Sequence, residues 1–442
     1  MKNLFITICL LMGISSSSIG QENYKIAITN IHYWTAGMEH SSQETTTIII
    51  ENNLIKAIGA EIKIDSSYTI IDGKEHYLIP GLIDTHIHLM DSEGPAEMKE
   101  TEFSYLSILG TKNANRVLMN GVTTVRDAAG PTFGLKKAID EEMTAGPRIY
   151  PSGAALTQSG GHGDFRTLCN HSQIKGGYID ETESMGLAFI ADGKTEMLKG
   201  AREQLRKGAT QVKVLVSGSI SGKHDPIDVV EFTEEEVNEA VKAAENWGTY
   251  VMVHAYNDKS IQMALNAGVK SIEHATLISE TTAKMIKEKG AVLSTQTYVF
   301  SVDLPYFTAE QKQKRKEAEE GLNTLFSLSK KYDLLVTHST DIYGDPNQFK
   351  NAPKEFTLRQ KWFSNVEILE QATINAAQVL EMSGERNPYK EGKLGVIKEG
   401  AYADLIIINQ DPTEDTKVLS NPDKNINFIM KNGKVFKNTL DK

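Results

Sequence analysis

The chain lacks the cysteines from which a disulfide framework or a thiolate metal site is built. Its 442 residues include two cysteines, and Cys9 lies in an apolar N-terminal segment that we expect to be removed. Cys169 would then remain alone, which excludes an intramolecular disulfide and disfavours thiolate ligation of a metal.

The chain also lacks a long hydrophobic run and an excess of positive charge. The apolar run Leu4 to Ile14 is too short to span a bilayer. A formal net charge of -11 disfavours nucleic acid and anionic lipid as partners. With 40% hydrophobic and 24% charged residues, the composition is typical of a globular soluble protein.

The N-terminus has the pattern of a secretory signal peptide over residues 1–20. A short basic start precedes the apolar run, and Ser18, Ile19 and Gly20 supply the small residues near a cleavage site. The alternative is an ordinary buried first strand or helix. Cys9 lacks the small residues that precede a lipidated cysteine, which disfavours a lipid anchor. We therefore expect a secreted, periplasmic protein.

Short apolar strands at both chain ends predict one composite small β-domain, a β-sandwich, from residues 21–80 and 387–442. The N-terminal strands are expected at Tyr24 to Ile28, Thr46 to Ile50, Leu54 to Gly59 and Tyr68 to Gly73, and the C-terminal strands at Ala403 to Ile408 and Ile426 to Phe436.

Eight apolar runs between these ends predict an α/β fold of the (β/α)8 TIM-barrel type over residues 81–386. The runs are Leu78 to Ile83, Val122 to Val125, Arg148 to Tyr150, Val212 to Val216, Tyr250 to Val253, Ser271 to Ile272, Ala291 to Leu293 and Leu334 to Val336. Stretches such as Thr233 to Trp247 and Ser279 to Glu288 have the periodicity of amphipathic helices. An active site is expected at the carboxyl ends of the strands.

His86 and His88 follow the first of these runs and are separated by one residue. Residues i and i+2 of a strand point to the same face, so both imidazoles can bind one metal ion. The alternative is a pair of hydrogen-bonding residues at the barrel mouth.

Further ligand-type residues lie on or after other strands. Lys213 lies within the fourth run, His254 and His274 follow the fifth and sixth, and Asp341 follows the eighth. Each histidine alone could be a satisfied core residue, but together the set favours a metal-dependent hydrolase.

Lys213 lies between Val212 and Val214 on a central strand, where an ammonium ion is costly to bury. Reaction of the amine with carbon dioxide would give a carbamate that can bridge two metal ions. The alternatives are an outward-facing lysine and a lysine paired with a carboxylate.

These segments together resemble the amidohydrolase superfamily, in its binuclear branch with a carboxylated lysine, and within it the imidazolonepropionase-related dipeptidases of Xaa-Pro type. The matching segments are Pro80 to His88, Gly121 to Asp127, Ser159 to Asp164, Val253 to Tyr256, Ile272 to His274, Thr340 to Asp341 and Gly395 to Leu405. The likeness extends over nearly all of the mature chain.

The resemblance implies two divalent metal ions, with zinc favoured, and a hydroxide between them as the nucleophile. His86, His88 and Asp341 would bind one ion, His254 and His274 the other, and carboxylated Lys213 both. Asp341 would also accept the proton of the hydroxide and deliver it to the leaving nitrogen.

Substrate contacts are expected from His162, in a glycine-rich loop after the third strand, and from Tyr256, two residues beyond His254. Ordinary loop packing is the alternative for both. Arg126 could form a carboxylate clamp, or a supporting pair with Asp127. The stretch from Thr157 to Lys199 is expected to form a lid.

The sequence therefore predicts a binuclear metal-dependent amide hydrolase, favouring dipeptides with a free C-terminal carboxylate. The alternatives are hydrolysis of N-acyl amino acids, lactones or carbamates at the same site, and a binding barrel without turnover. The expected partner is a small-molecule or dipeptide substrate, without nucleic acid and without membrane after signal removal. Homo-oligomerisation is left open.

Overall fold

A computed structural model describes residues 24–91, 93–302 and 307–441. The predicted signal peptide at residues 1–20 lies outside the described residues. Within the described ranges, no helix combines the length and the apolar character that a membrane crossing requires.

The described chain contains eighteen strands and fifteen α-helices, numbered here in chain order. The strands are β1 Lys25–Tyr33, β2 Thr46–Glu51, β3 Leu54–Gly59, β4 Thr69–Asp72, β5 Tyr77–Pro80, β6 Leu82–Ile87, β7 Val122–Asp127, β8 Arg148–Pro151, β9 Ala155–Thr157, β10 Ala188–Ile190, β11 Val212–Leu215, β12 Val251–Asn257, β13 Ser271–Leu277, β14 Val292–Thr295, β15 Val336–His338, β16 Leu405–Ile408, β17 Ile426–Lys431 and β18 Lys434–Asn438. The helices are α1 Pro95–Lys99, α2 Phe103–Met119, α3 Phe133–Asp140, α4 Glu181–Met185, α5 Lys194–Lys207, α6 Glu234–Asn246, α7 Asp258–Ala267, α8 Glu280–Lys289, α9 Tyr298–Ser301, α10 Ala309–Lys331, α11 Pro346–Asn351, α12 Lys354–Arg359, α13 Asn365–Gln371, α14 Ile374–Glu381 and α15 Pro422–Asn425.

The middle of the chain forms two parallel sheets. One has the order β6-β7-β8, and the other has the order β10-β9-β11-β12-β13-β14-β15. Most strands are followed by a helix, which confirms the predicted α/β class with parallel pairing. Helix α6 begins at a capping box between Thr233 and Glu236, which satisfies backbone N–H groups at the start of the helix.

The segment Leu78 to Ile83 was predicted to form a single strand, and this prediction was wrong. The chain divides at Gly81, so that β5 joins a different sheet from β6. A Cβ at Gly81 would lie 2.1 Å from Oγ1 of Thr123. Glycine is therefore needed where the chain passes close to β7 and changes sheets.

Strand β6 also contacts the segment that contains β15. The Asp341 N–H donates to the His86 carbonyl at 2.7 Å, and the His88 N–H donates to the Ile342 carbonyl at 3.2 Å. The Thr85 and Thr337 hydroxyls meet at 2.7 Å. These contacts hold the residues after β15 beside the two histidines of β6.

Strands from both chain ends form a third, mixed sheet. Its order is β18-β17-β16-β5-β1-β2-β3, with β4 paired to β1. Ile28, Ile50, Leu405 and Phe428 lie in its buried core. The structure has one connected sheet, and the predicted division into two stacked sheets stays a prediction, as do the domain boundaries.

The predicted lid segment contains α4 and β10 and contacts α1. The Lys99 ammonium donates to the Phe165 carbonyl at 2.6 Å and pairs with Asp180 at 2.7 Å. Its role as a lid stays a prediction.

Candidate active site

The residues predicted as metal ligands lie on the parallel strands or shortly after them. His86 is in β6, Lys213 in β11, His254 in β12 and His274 in β13, and Asp341 lies three residues after β15. The carboxyl ends of parallel strands share one edge, so side chains from distant parts of the sequence meet there. All five residues are buried, while His88 is partly exposed just after β6.

His86, His88 and Asp341 form the tightest part of the site. Their ligand-type atoms all lie within 4.8 Å of one another. Oδ1 of Asp341 is 3.2 Å from Nε2 of His86 and 3.3 Å from Nε2 of His88. Burial acts to raise the pKa of Asp341, but His86 and His88 hold it well below its usual range. The carboxylate is therefore charged and faces both imidazoles.

Lys213 contacts the cluster of His86, His88 and Asp341. Its Nζ lies 3.5 Å from Nε2 of His86. Burial lowers the pKa of Lys213 to about 8, although Glu273 and Asp341 partly oppose the shift. The neutral amine, which is the form that reacts with carbon dioxide, is thus accessible near neutral pH.

His254 and His274 lie next to this cluster, outside the group of atoms within 4.8 Å. Their ring centroids are 4.5 Å apart, and the ring of His274 is 5.1 Å from that of His86. Burial lowers the pKa of His274 to about 3 and that of His254 well below its usual range. Both imidazoles are therefore neutral, as metal ligands must be.

Each of these histidines has one ring nitrogen available to a further partner. Nε2 of His254 lies 3.3 Å from the Gly218 carbonyl, which leaves Nδ1 for another partner. Nε2 of His274 is buried and has no hydrogen-bond partner within the described ranges. A buried nitrogen in this state is costly unless a further group binds it.

The backbone is strained at two of the predicted ligands. His274 has φ 70° and Asp341 has φ 52°, both in the left-handed region. Non-glycine residues adopt this region at a cost of order 1–3 kcal/mol, and such residues cluster at functional sites. The strain supports a functional role for both.

Glu273 was missed by sequence reasoning. Its Oε2 accepts a hydrogen bond from Nδ1 of His86 at 2.8 Å, so Nε2 of His86 is left for a metal. Burial acts to raise the pKa of Glu273, but Arg126 and His86 lower it. The available signal was a carboxylate on the buried strand β13, directly before His274.

The guanidinium of Arg126 is bonded to groups in the protein interior, which argues against the predicted carboxylate clamp. It is fully buried, and its guanidinium donates to both carboxylate oxygens of Glu273 at 2.8 Å. It also donates to the Thr85 carbonyl at 2.6 Å and the Tyr250 hydroxyl at 3.0 Å. The predicted pair with Asp127 is likewise wrong, because adjacent strand residues point to opposite faces.

Asp341 is held by groups that sequence reasoning also missed. The Gln296 amide donates to Oδ2 of Asp341 at 3.2 Å. The Asp84 carboxylate accepts hydrogen bonds from the Thr340 N–H at 3.2 Å and hydroxyl at 2.5 Å, and from the His86 N–H at 3.0 Å. Asp84 thereby ties the Asp341 segment to β6.

The rings of His162 and Tyr256 pack against two of the predicted ligands, His254 and His274. The ring of His162 stacks on His254 at 4.5 Å, and the ring of Tyr256 stacks on His274 at 4.9 Å. Nδ1 of His162 is 3.2 Å from Oδ2 of Asp225. Burial raises the pKa of Tyr256 well above its usual value, so its hydroxyl stays protonated. Both side chains thus adjoin the predicted metal ligands.

The arrangement fits divalent metal ions. It offers neutral imidazoles, a charged carboxylate and an amine that can become a carbamate, and the nitrogen and oxygen atoms of these groups suit zinc-like ions. The unpaired Nε2 of His274 and the orientation of His86 by Glu273 are both expected of a metal site.

Comparisons with known proteins agree with this fold. The sequence model of the family described as "Amidohydrolase family" matches residues 77–436. Ochratoxinase from Aspergillus niger is 29% identical over 413 residues, which cover 88% of this chain and 82% of that protein. Among solved structures, an amidohydrolase is 28% identical with a TM-score of 0.86, and the match covers 94% of this chain and 100% of that one. A prolidase complexed with N-methylphosphonate-L-proline is 27% identical with the same TM-score and coverage.

Proposed function

Because the chain belongs to the amidohydrolase family, we propose that it is a metal-dependent amide hydrolase whose favoured substrates are dipeptides with a free C-terminal carboxylate. Family membership makes it an enzyme of the hydrolase class, in agreement with the resemblance of its motifs. The observation that carries the proposal is the group of ligand atoms from His86, His88 and Asp341 within 4.8 Å of one another.

The proposed site holds two divalent ions, with zinc favoured. His86, His88 and Asp341 would bind one, His254 and His274 the other, and carboxylated Lys213 both. Bound ions of this kind polarise a carbonyl group and lower the pKa of water. The short distance from Nζ of Lys213 to His86 supports the placement of the carbamate.

Asp341 is proposed as the group that moves the proton. Its charged carboxylate can accept a proton at Oδ2, where the Gln296 amide holds its position. The same oxygen can then return the proton to the leaving nitrogen.

His162 and Tyr256 are proposed to receive the C-terminal carboxylate of the substrate. A protonated phenol donates a hydrogen bond to a carboxylate oxygen. The Asp225 carboxylate beside Nδ1 of His162 would favour the ring orientation in which Nε2 faces the substrate. A prolidase with a proline-derived ligand among the similar structures supports this class of substrate.

We propose that the two parallel sheets close into one barrel. Hydroxyls from three of its strands, those of Thr85, Ser294 and Thr337, hydrogen-bond at 2.9 and 2.7 Å. We further propose that the mixed sheet folds into a sandwich at β1, where the pairing shifts between Ile28 and Ile31. Secretion into the periplasm remains part of the proposal and rests on the pattern of residues 1–20.

A second candidate is hydrolysis of N-acyl amino acids, or of lactones or carbamates, at the same site. We keep this second candidate because a protein named ochratoxinase is about as similar to this chain as the prolidase is. The metal ligands cannot choose between these substrates, since the same chemistry serves all of them.

A hydrolysis screen tests the proposal. The mature, zinc-reconstituted protein is offered a dipeptide library and matched N-acyl amino acids, and bound metal is measured on the same sample. Cleavage of dipeptides with about two metals per chain supports the dipeptidase proposal. Full metal loading without cleavage of any dipeptide would overturn it in favour of the second candidate.

A further inference from the structure

Near these residues in the chain, one carboxylate, that of Asp91, is used by none of the proposed roles. Asp91 follows His88 by three residues, and its carbonyl accepts a hydrogen bond from the Gly344 N–H at 2.7 Å. Gly344 in turn lies three residues after Asp341. The backbone of Asp91 is therefore fixed between the two segments that carry the tightest cluster of predicted ligands.

The side chain of Asp91 has an unused acceptor. Its Oδ1 is buried and has no hydrogen-bond partner in the part of the chain that the structure describes. Lys99, on the helix that follows, is already engaged by Asp180 and by the Phe165 carbonyl. A buried carboxylate oxygen without a donor is costly, so this one is suited to a partner that arrives with the substrate.

The charges that act on Asp91 are those of the site itself. His88, Asp341 and His162 are its electrostatic neighbours, and burial raises the pKa of its carboxyl to about 6. Its neighbours thus include two predicted metal ligands and one predicted contact for the substrate carboxylate.

We propose that Asp91 binds the free α-ammonium group of the substrate and so selects dipeptides over N-acylated analogues. This inference rests on the proposed function and specifies its substrate class. It separates the two candidate functions that the predicted metal ligands leave open.

The position of the ammonium group in a dipeptide gives the physical reason. It is attached to the carbon next to the scissile carbonyl, so it must enter the buried site together with that carbonyl. An uncompensated cation there would cost several kcal/mol. A carboxylate with a free oxygen replaces the lost water by a charge-assisted hydrogen bond.

The same carboxylate disfavours a substrate without the amine. An apolar acyl group in that place would leave Asp91 buried and unpaired. Sites built to hydrogen-bond a polar group reject analogues that lack it far more strongly than apolar pockets reject an added group. The preference for a substrate with a free amine therefore follows from the Asp91 carboxylate.

The test compares two substrates that differ only in the amine. Ala-Pro and propanoyl-L-proline share every other atom of the acyl chain, and kcat/KM is measured for both with the zinc-loaded wild-type protein and Asp91→Asn. We expect the wild type to prefer Ala-Pro. In Asp91→Asn, kcat/KM for Ala-Pro should fall about 30-fold or more, which is the usual effect of removing one partner of a buried charge pair, while propanoyl-L-proline is cleaved as before or faster.

Glu93→Gln is the matched control. It removes a negative charge two residues away, from a side chain that accepts a hydrogen bond from Thr101 at 2.8 Å. Both kcat/KM values should stay within about twofold of the wild type. Bound metal and thermal unfolding are measured on every variant.

The outcomes separate this inference from the proposed function. An equal fall for both substrates in Asp91→Asn would overturn the inference, because Asp91 would then act on the metals or on the loop. A wild type that cleaves propanoyl-L-proline as well as Ala-Pro would also overturn it. If the wild type cleaves no dipeptide in the library, the proposed function fails and the inference fails with it.

Discussion

Asp341, Glu273 and Asp91 are three carboxylates around one buried site, and their neighbours assign them different tasks. Asp341 faces His86 and His88, and Glu273 lies between Arg126 and His86. Among the residues that the structure describes, one carboxylate oxygen of Asp91 has no hydrogen-bond partner. A carboxylate that has cations or hydrogen-bond donors beside it stays charged, whereas one that is buried without them holds its proton more tightly. The chemistry of each residue therefore follows from its partners rather than from its type.

Asp341→Asn tests proton transfer. The amide keeps the size of the side chain but cannot accept the proton. We expect kcat to fall at least about 100-fold, compared at equal bound zinc, because positioned proton transfer contributes about 10²–10⁴-fold. Asp345→Asn, four residues along, is the control, since its side chain caps α11 and asparagine caps equally well. Unchanged turnover in Asp341→Asn would show that another group moves the proton, whereas a wild type without any turnover would favour a binding barrel.

Glu273→Gln tests the orientation of His86. The variant keeps the shape of the side chain but removes the charge that faces Nδ1 of His86 and the guanidinium of Arg126. We expect zinc affinity, measured by competition with a chromogenic chelator, to fall about 10–100-fold. The exposed Glu288→Gln on α8 is the control. A fall in the free energy of unfolding without any change in zinc affinity would show that Glu273 is only structural.

For single residues, the sequence predicts candidate metal ligands better than it predicts the residues that hold those ligands in place. His86 and His88 could be found because strand geometry relates residues two apart. Glu273 and Arg126 are 147 positions apart, and no local pattern relates them. Arg126 was instead assigned to its neighbour Asp127, which adjacency in sequence favours and strand alternation forbids.

The strands could be located because their apolar runs are short and separated by helical patterns. Six of the eight runs lie on single strands to within one residue at an end, and Leu334 to Val336 overlaps β15 only at Val336. The predicted helices at Thr233 to Trp247 and Ser279 to Glu288 match α6 and α8 closely. The run Leu78 to Ile83 was misread because both halves are apolar. The change of sheet at Gly81 depends on a contact with Thr123 that hydrophobicity does not encode.

Gly81→Ala tests this change of sheet between β5 and β6. The added Cβ would meet the Thr123 side chain, so we expect the free energy of unfolding to fall by about 1–3 kcal/mol. Gly134→Ala is the matched control, because a Cβ there meets nothing within 4 Å and Gly134 lies in α3. The control should be neutral or stabilising by up to about 1 kcal/mol. Equal effects in chemical denaturation would contradict the account.

Across the whole molecule, the site is assembled by contacts between parts that are distant in sequence. The Arg126 side chain, on β7, reaches Thr85 on β6 and Glu273 on β13. The class of fold follows from the order of strands and helices, but which interior side chains meet depends on how the two parallel sheets pack against each other. That is why the sequence predicts the class and the ligand set but not the interior network.

The buried carboxyl group of Glu231 makes the stability of the folded protein depend on pH. It accepts a hydrogen bond from the His162 N–H at 2.7 Å, and burial raises its pKa from 4.5 to about 8. The folded protein thus binds this proton more tightly than the unfolded chain. The stability that it contributes is complete below about pH 4.5 and is lost as the pH rises towards 8, by at most about 1.4 kcal/mol per pH unit.

Glu231→Gln should therefore flatten the dependence of stability on pH. The free energy of unfolding, measured by denaturant at pH 5, 6, 7 and 8, should fall less steeply than in the wild type. The exposed Glu245→Gln on α6 should keep the slope of the wild type. Identical slopes in all three proteins would contradict a raised pKa for Glu231.

The most direct test of metal-dependent amide hydrolysis at this site is the rate of dipeptide cleavage as a function of bound zinc. The mature protein is stripped with a chelator, and zinc is returned in steps while bound metal and rate are measured together. We expect no cleavage by the stripped protein and a rate that rises until about two ions are bound per chain. Cleavage that is independent of metal, or full zinc loading without cleavage of any amide, would contradict the account.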